Sequence, residues 1–114
     1  MINKPILVTG ATGYVGGRLI PLLLSSGYTV RAMARSLEKL QGRAWSNHPY
    51  LELAQADILD PASLKRALTG CYAAYYLVHS MNSESMDFAV ADRKGARNFV
   101  NALSGSGVER VIYL

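Results

Sequence analysis

Four glycines fall within ten residues at 8–17, VTGATGYVGG, between an apolar run and an amphipathic one. Glycine loses more backbone freedom on folding than any other residue, so the cluster marks a place where something comes close to the main chain. At the end of a strand and the start of a helix, such a loop offers backbone N–H groups and the positive end of the helix dipole. That is the chemistry that holds a phosphate. Gly10 can turn the chain tightly, Gly13 can admit phosphate groups against bare backbone, and Gly16 can bring the helix close. Thr12 adds a hydroxyl, and Tyr14 and Val15 belong to the same phosphate-binding segment. Further on, Arg35 can fork onto phosphate oxygens. His48 stands alone, so no pair of histidines has metal-ligand spacing, and His79 reads as a wall residue of a cleft rather than a proton donor or a metal ligand.

The elements that must position these residues follow from the hydropathy pattern. Pro5 to Val8 is a short apolar run, as in a strand buried on both faces. Val15, Leu19, Leu22 and Leu23 share one helical face, Pro21 should kink that helix, and Gly27 closes it. Tyr28 to Ala34 is the second strand, and Ser36 can cap a short helix ending at Gln41. Gly42 to Tyr50 is a loop and Leu51 to Ala56 the third strand. DPASLKRALTG gives a helix with Asp60 as N-cap, Pro61 in the first position and Gly70 past the end. Tyr72 to Val78 is the fourth strand. Ser85 to Ser104 is a long helix with Phe88, Ala91, Ala96, Phe99 and Leu103 inward, and Val111 to Leu114 is a fifth strand.

Strands alternating with helices at this spacing predict an α/β fold of three layers, a parallel sheet between helices with right-handed crossovers. The predicted strand order is 3-2-1-4-5, with ligand binding where the order reverses, between strands one and four.

Length and composition bound the function. The chain has 114 residues, enough for one core. Half of it is hydrophobic and 18% is charged, as in ordinary globular proteins. No apolar run approaches the ~20 residues of a membrane span, and the first five residues make no signal peptide. One cysteine, Cys71, excludes an internal disulfide and fits a reducing cytoplasm; with no basic neighbour in sequence it reads as a buried, inert thiol. A net charge of +4 suits a phosphate-bearing small ligand. Nucleic acid is disfavoured, because no recognition helix or aromatic platform interleaves with the basic residues.

The glycine spacing is G-x-x-G-x-x-G, not the G-x-G-x-x-G of the dehydrogenase fingerprint. TGATGYVG resembles the short-chain dehydrogenase/reductase superfamily in its extended and atypical branches. ADILDPASLKRAL, YYLVHSM and GVERVIYL strengthen the likeness to the NmrA-like, NAD(P)-binding or epimerase/dehydratase-like group. The resemblance spans the whole chain and implies a Rossmann fold and a dinucleotide cofactor. At the end of the second strand an acid would bind the ribose of NAD, whereas an arginine accommodates the 2′-phosphate of NADP. Here Ala34 holds the acid's place and Arg35 follows, so NADP is expected over NAD, with Lys39 a weaker candidate. The resemblance also implies that Asp57 hydrogen-bonds the adenine amino group with the Ile58 backbone beside it. Leu77, Val78 and His79 should line the ribose and nicotinamide side. Arg31, within a central strand, is expected to be structural, and Tyr72, Tyr75, Tyr76 and Tyr113 to be strand packing. Asn98 either binds backbone or faces water. Arg93, Lys94 and Arg97 form a solvated face or a subunit interface.

Relatives in this superfamily do chemistry with a serine or threonine after the fifth strand and a Tyr-x-x-x-Lys pair. No tyrosine here is followed four residues later by lysine. Residues 1–114 are therefore expected to be the N-terminal, cofactor-binding domain of a longer protein and inactive alone. Two readings stay open: the NADP(H)-binding half of an oxidoreductase or epimerase/dehydratase, or an NmrA-like nucleotide-sensing module without a reaction. The fifth strand should leave an exposed apolar edge or face through which the chain self-associates.

Overall fold

Strand β1 (Ile6–Val8) is buried along its whole length, and its side chains divide between two cores. Ile6 and Val8 join one apolar cluster and Leu7 the other, as the two-residue period of a strand requires. The rest of the chain is arranged around this strand. In this computed structural model, which describes residues 4–78 and 86–114, α1 (Tyr14–Ser25), β2 (Val30–Ala34), α2 (Leu37–Gln41) and β3 (Leu51–Gln55) follow it. Then come α3 (Pro61–Leu68), β4 (Ala73–Tyr76), α4 (Met86–Leu103) and β5 (Arg110–Tyr113). The five strands form one parallel sheet in the order β3-β2-β1-β4-β5, as the sequence predicts. Element ends differ from the predicted ones by one or two residues.

The two clusters lie on opposite faces of the sheet. Ile20, Leu23, Leu24 and Leu40 of α1 and α2 pack with Ile6, Val8, Val30 and Ala32. Leu64, Ala67, Leu68, Phe99 and Ala102 of α3 and α4 pack with Leu7, Met33, Ala74 and Tyr76. The sheet is thus covered on both sides, which is what an apolar parallel sheet demands.

The rotation of α1 corrects the sequence reading. Gly16, Ile20, Leu23 and Leu24 are buried, while Val15 and Leu22 are 48% and 65% exposed. Two stripes about 100° apart fit the same residues, and the Gly16 face is the one pressed inward. A Cβ on Gly16 would run into the Gly10 carbonyl oxygen, so this contact sets which stripe follows it to the core. The helix passes through Pro21, which is exposed; its missing N–H leaves the Gly17 carbonyl without an intrahelical donor.

Two predicted caps are also corrected. Ser36 and Asp60 hold the N-cap positions of α2 and α3, but neither side chain makes a capping hydrogen bond. Ser63 instead ties the turn before α3: its hydroxyl lies 2.8 Å from the Asp60 carbonyl and 3.1 Å from that of Asp57. The same hydroxyl accepts from the Asp57 N–H at 3.0 Å.

Arg31 is structural, as expected. Its Nε donates to Glu52 Oε1 at 2.9 Å, and Nη1 donates to the carbonyls of Ala67 and Thr69 at 2.7 and 2.6 Å. The tyrosines pack as expected too. Tyr76 is buried, stacked on Tyr113 with ring centroids 5.1 Å apart and tilted against Phe99 at 4.8 Å. Burial, then the phenol of Tyr113 and the carboxylate of Asp92, push the Tyr76 hydroxyl up to about 12. His79 and Ser85 lie outside the described residues, as does the side chain of Phe88.

Candidate functional site

At the carboxyl ends of β1, β2, β3 and β4 lies a cleft of about 650 Å³. Its floor is the glycine loop, with Gly10, Thr12, Gly13, Tyr14, Val15 and Gly16 all lining it. The loop owes its shape to two glycines. Gly10 has φ +66°, and a Cβ there would also sit 3.0 Å from the Leu77 carbonyl oxygen. Gly16 lies against the backbone of Gly10 and Ala11. Gly13 is different: its φ of −81° and ψ of 176° suit any residue, and a Cβ would lie 3.3 Å from the Gly10 oxygen. What a side chain at Gly13 would take up is cleft.

The Gly13 N–H donates to the Gly10 carbonyl at 2.9 Å, and the Gly17 N–H closes the first helical bond on Gly13 at 2.9 Å. The N–H groups of Tyr14, Val15 and Gly16 precede that first bond and have no carbonyl one turn back within α1. No acidic side chain stands in the first turn. The arrangement therefore presents helix-start donors, with the positive end of the dipole, to whatever occupies the cleft.

The walls come from the neighbouring strands. Met33, Ala34 and Arg35 line the β2 side, and Ala56, Asp57, Ile58 and Leu59 the β3 side. Arg35 is exposed at the rim, and its carbonyl is held by Gln55 Nε2 at 3.1 Å. Lys39 lines neither this cleft nor the smaller polar hollow beside it. Asp57 forms the turn that a strand-end aspartate makes, its Oδ1 accepting from the Leu59 N–H at 2.9 Å, and it faces the cleft as well. Leu77 and Val78 close the β4 side, and Ala91 and Asp92 of α4 complete the rim. The candidates named from the sequence border this one cleft, except Lys39, which does not, and His79, which lies outside the described residues.

Four residues with supporting roles went unread in the sequence or were left undecided. Thr9 is buried where β1 and β4 part; its hydroxyl donates to the Tyr75 carbonyl at 3.1 Å and accepts from the Leu77 N–H at 3.0 Å. Asn98 binds backbone, donating from Nδ2 to the Ile58 carbonyl at 2.9 Å. Gly95, in mid-helix where glycine is costly, leaves room for the Ile58 side chain, into which a Cβ would run. That cost was the signal available in the sequence. Arg43, from the loop after α2, donates from Nη2 to the Thr12 carbonyl at 2.8 Å.

Cys71 sits outside the cleft, just before β4, and is buried. It does have a basic neighbour in space, Arg31 Nη1 at 3.4 Å, which the sequence reading missed. Burial still outweighs that charge and raises the thiol above its ordinary value, so inertness holds for a different reason. Among the described residues no cluster of His, Cys, Asp or Glu could hold a metal ion, and no helix is long and apolar enough to cross a membrane.

A family model described as NAD(P)H-binding matches residues 10–114. Cinnamoyl-CoA reductase 1 of Oryza sativa subsp. japonica is 34% identical over 116 aligned residues, covering 95% of this chain and 33% of that protein. Among solved structures, an NADPH-dependent quinone oxidoreductase from Escherichia coli, complexed with NADPH, is 32% identical with a TM-score of 0.73. That match covers 95% of this chain and 35% of the other. Triphenylmethane reductase of Citrobacter sp., complexed with NADP(H), is 26% identical with a TM-score of 0.79, covering 96% and 36%. The chain spans about a third of the length of the curated relatives it matches.

Proposed function

The chain belongs to the NAD(P)H-binding family, within the short-chain dehydrogenase/reductase superfamily, and on that premise we propose that it is the NADP(H)-binding half of a reductase. The observation that carries the choice of nucleotide is Arg35 at the rim of the cleft, with Ala34 rather than an acid before it. An arginine there pairs with a 2′-phosphate, and no carboxylate in its own strand end repels one. The reductases named above, two of them held with NADPH or NADP(H), support the same reading.

In this reading the N–H groups of Tyr14, Val15 and Gly16 and the hydroxyl of Thr12 bind the pyrophosphate. Gly13 leaves the backbone open to it. Asp57 accepts the adenine amino group beside the Ile58 backbone, and Leu77, Val78 and His79 flank the ribose and nicotinamide. The bound dinucleotide would supply a hydride; the residues of this chain hold and orient it. Its lone cysteine, buried and free, suits a cytoplasmic setting.

Calorimetry tests the nucleotide assignment. NADPH should bind more tightly than NADH, and Arg35→Ala should weaken NADPH by roughly 10- to 100-fold, from about 1.5–3 kcal/mol for a charged hydrogen bond, while leaving NADH unchanged. Equal affinities for the two, unmoved by Arg35→Ala, would sink the assignment.

Self-association through β5 belongs to the same proposal. The strand pairs only with β4, all four of its residues are exposed, and Val111, Ile112 and Tyr113 form its apolar part. A second copy of this chain can add a strand there. Sedimentation should show a dimer at high concentration; a monomer throughout would dismiss it.

A further inference from the structure

Arg43 does not line the cleft, yet it holds the loop that forms the cleft's floor. Nη2 donates to the Thr12 carbonyl at 2.8 Å, and Nη1 lies over Gly17, where a Cβ would come within 3.9 Å of it. The peptide between Thr12 and Gly13 is thus fastened at both ends. Its N–H goes to the Gly10 carbonyl at 2.9 Å and its carbonyl receives the guanidinium. A peptide unit held on both sides cannot turn its carbonyl toward an incoming anion, and it keeps the following N–H groups in place before a ligand arrives.

The arginine is itself rigidly placed. Its N–H donates to the Leu40 carbonyl at 3.1 Å, and its carbonyl accepts from the Ser46 N–H at 3.0 Å. Leu40 is fully buried in the cluster beneath α1 and α2, and Trp45 packs against the same cluster. The core on one sheet face, which already holds Ala11 of the loop, therefore also reaches the Thr12 carbonyl through the half-buried Arg43 side chain.

We infer that Arg43 is a positioning residue for dinucleotide binding: it preorganises the glycine loop from behind by capping the Thr12 carbonyl. The inference rests on the nucleotide-binding reading above. It separates Arg43 from Arg35, because a loop that receives the pyrophosphate serves NADPH and NADH alike, whereas a 2′-phosphate contact serves NADPH alone.

The test is calorimetric titration of this chain with NADPH and with NADH, beside thermal unfolding without ligand, for Arg43→Ala and Arg43→Lys. Arg43→Ala should weaken both nucleotides by a common factor of about tenfold, with the unliganded unfolding temperature nearly unmoved. Arg43→Lys, which keeps one donor and the charge, should recover most of the loss. Unchanged affinities in Arg43→Ala would overturn the inference, and so would a loss confined to NADPH or one that follows a fall in unfolding temperature. If Arg43→Ala does not fold, Arg43→Gln decides: a common loss for NADPH and NADH supports the role, and unchanged affinities or a loss confined to NADPH overturn it. Parent protein that binds neither nucleotide would refute the nucleotide reading itself, a different outcome from parent binding that Arg43→Ala leaves intact.

Discussion

The β1–α1 and β3–α3 junctions open onto the same end of the sheet, and each must start a helix from a strand. At β3–α3 the chain ties the turn that precedes the helix with its own groups. Ser63 bonds the backbone of Asp57 and Asp60, the Asp60 N–H goes to the Asp57 carbonyl at 2.9 Å, and Asp57 Oδ1 takes the Leu59 N–H. At β1–α1 a glycine stands at the N-cap; like α3, this helix has no side-chain cap and no acid in its first turn. The turn that leads into α3 is tied by side chains of its own, and the turn that leads into α1 is glycine backbone that forms the cleft's floor. The conformational cost falls on the glycine loop, where Gly10 has positive φ and Gly16 meets backbone too closely for a side chain.

The sharpest way to break this comparison is at Gly16. Gly16→Ala drives a methyl into the Gly10 carbonyl, and overpacking against backbone should lower the unfolding free energy by about 3 kcal/mol in urea denaturation. Gly13→Ala, whose backbone angles suit an L-residue, should cost under ~1 kcal/mol and yet weaken NADPH. Equal stability losses in the two variants would mean that Gly13, too, is there for the fold. The smallest effect is expected at the β3–α3 junction. Ser63→Ala should lower stability by about 1 kcal/mol, the usual net worth of a hydrogen bond, and change NADPH affinity less than about twofold. An affinity loss larger than the stability loss would show that α3 and its turn take part in binding.

The strand order was legible because PILV and YTVRAMA carry the burial of central strands in their composition, and because turn residues separate them from helices with clear stops. The glycine loop was legible for the same local reason. What escaped the sequence was decided by contacts far apart along it. The facing of α1 depended on Gly16 meeting Gly10, since Val15–Leu22 and Gly16–Leu23 stripes look equally apolar. Asp60 stands at the N-cap as the local rule has it, yet its side chain makes no capping bond, while Ser63 reaches two carbonyls of the preceding turn. Arg43 and Thr12 are 31 residues apart, and Arg31 and Cys71 are 40 apart. No periodicity brings such pairs together; only the closed sheet does.

The bare backbone of α4 at Gly95 has a mechanical consequence. With no side chain between them, Ile58 rests on the helix itself, and Asn98 ties the Ile58 carbonyl to the same helix three residues on. The loop after β3 and α4 must then move as one body, because a close-packed contact transmits displacement instead of absorbing it. Between Asp92 at the cleft rim and Leu103 against the core, α4 is a rod of about 17 Å. A displacement of the loop after β3 would therefore be carried along the rod to the turn that feeds β5.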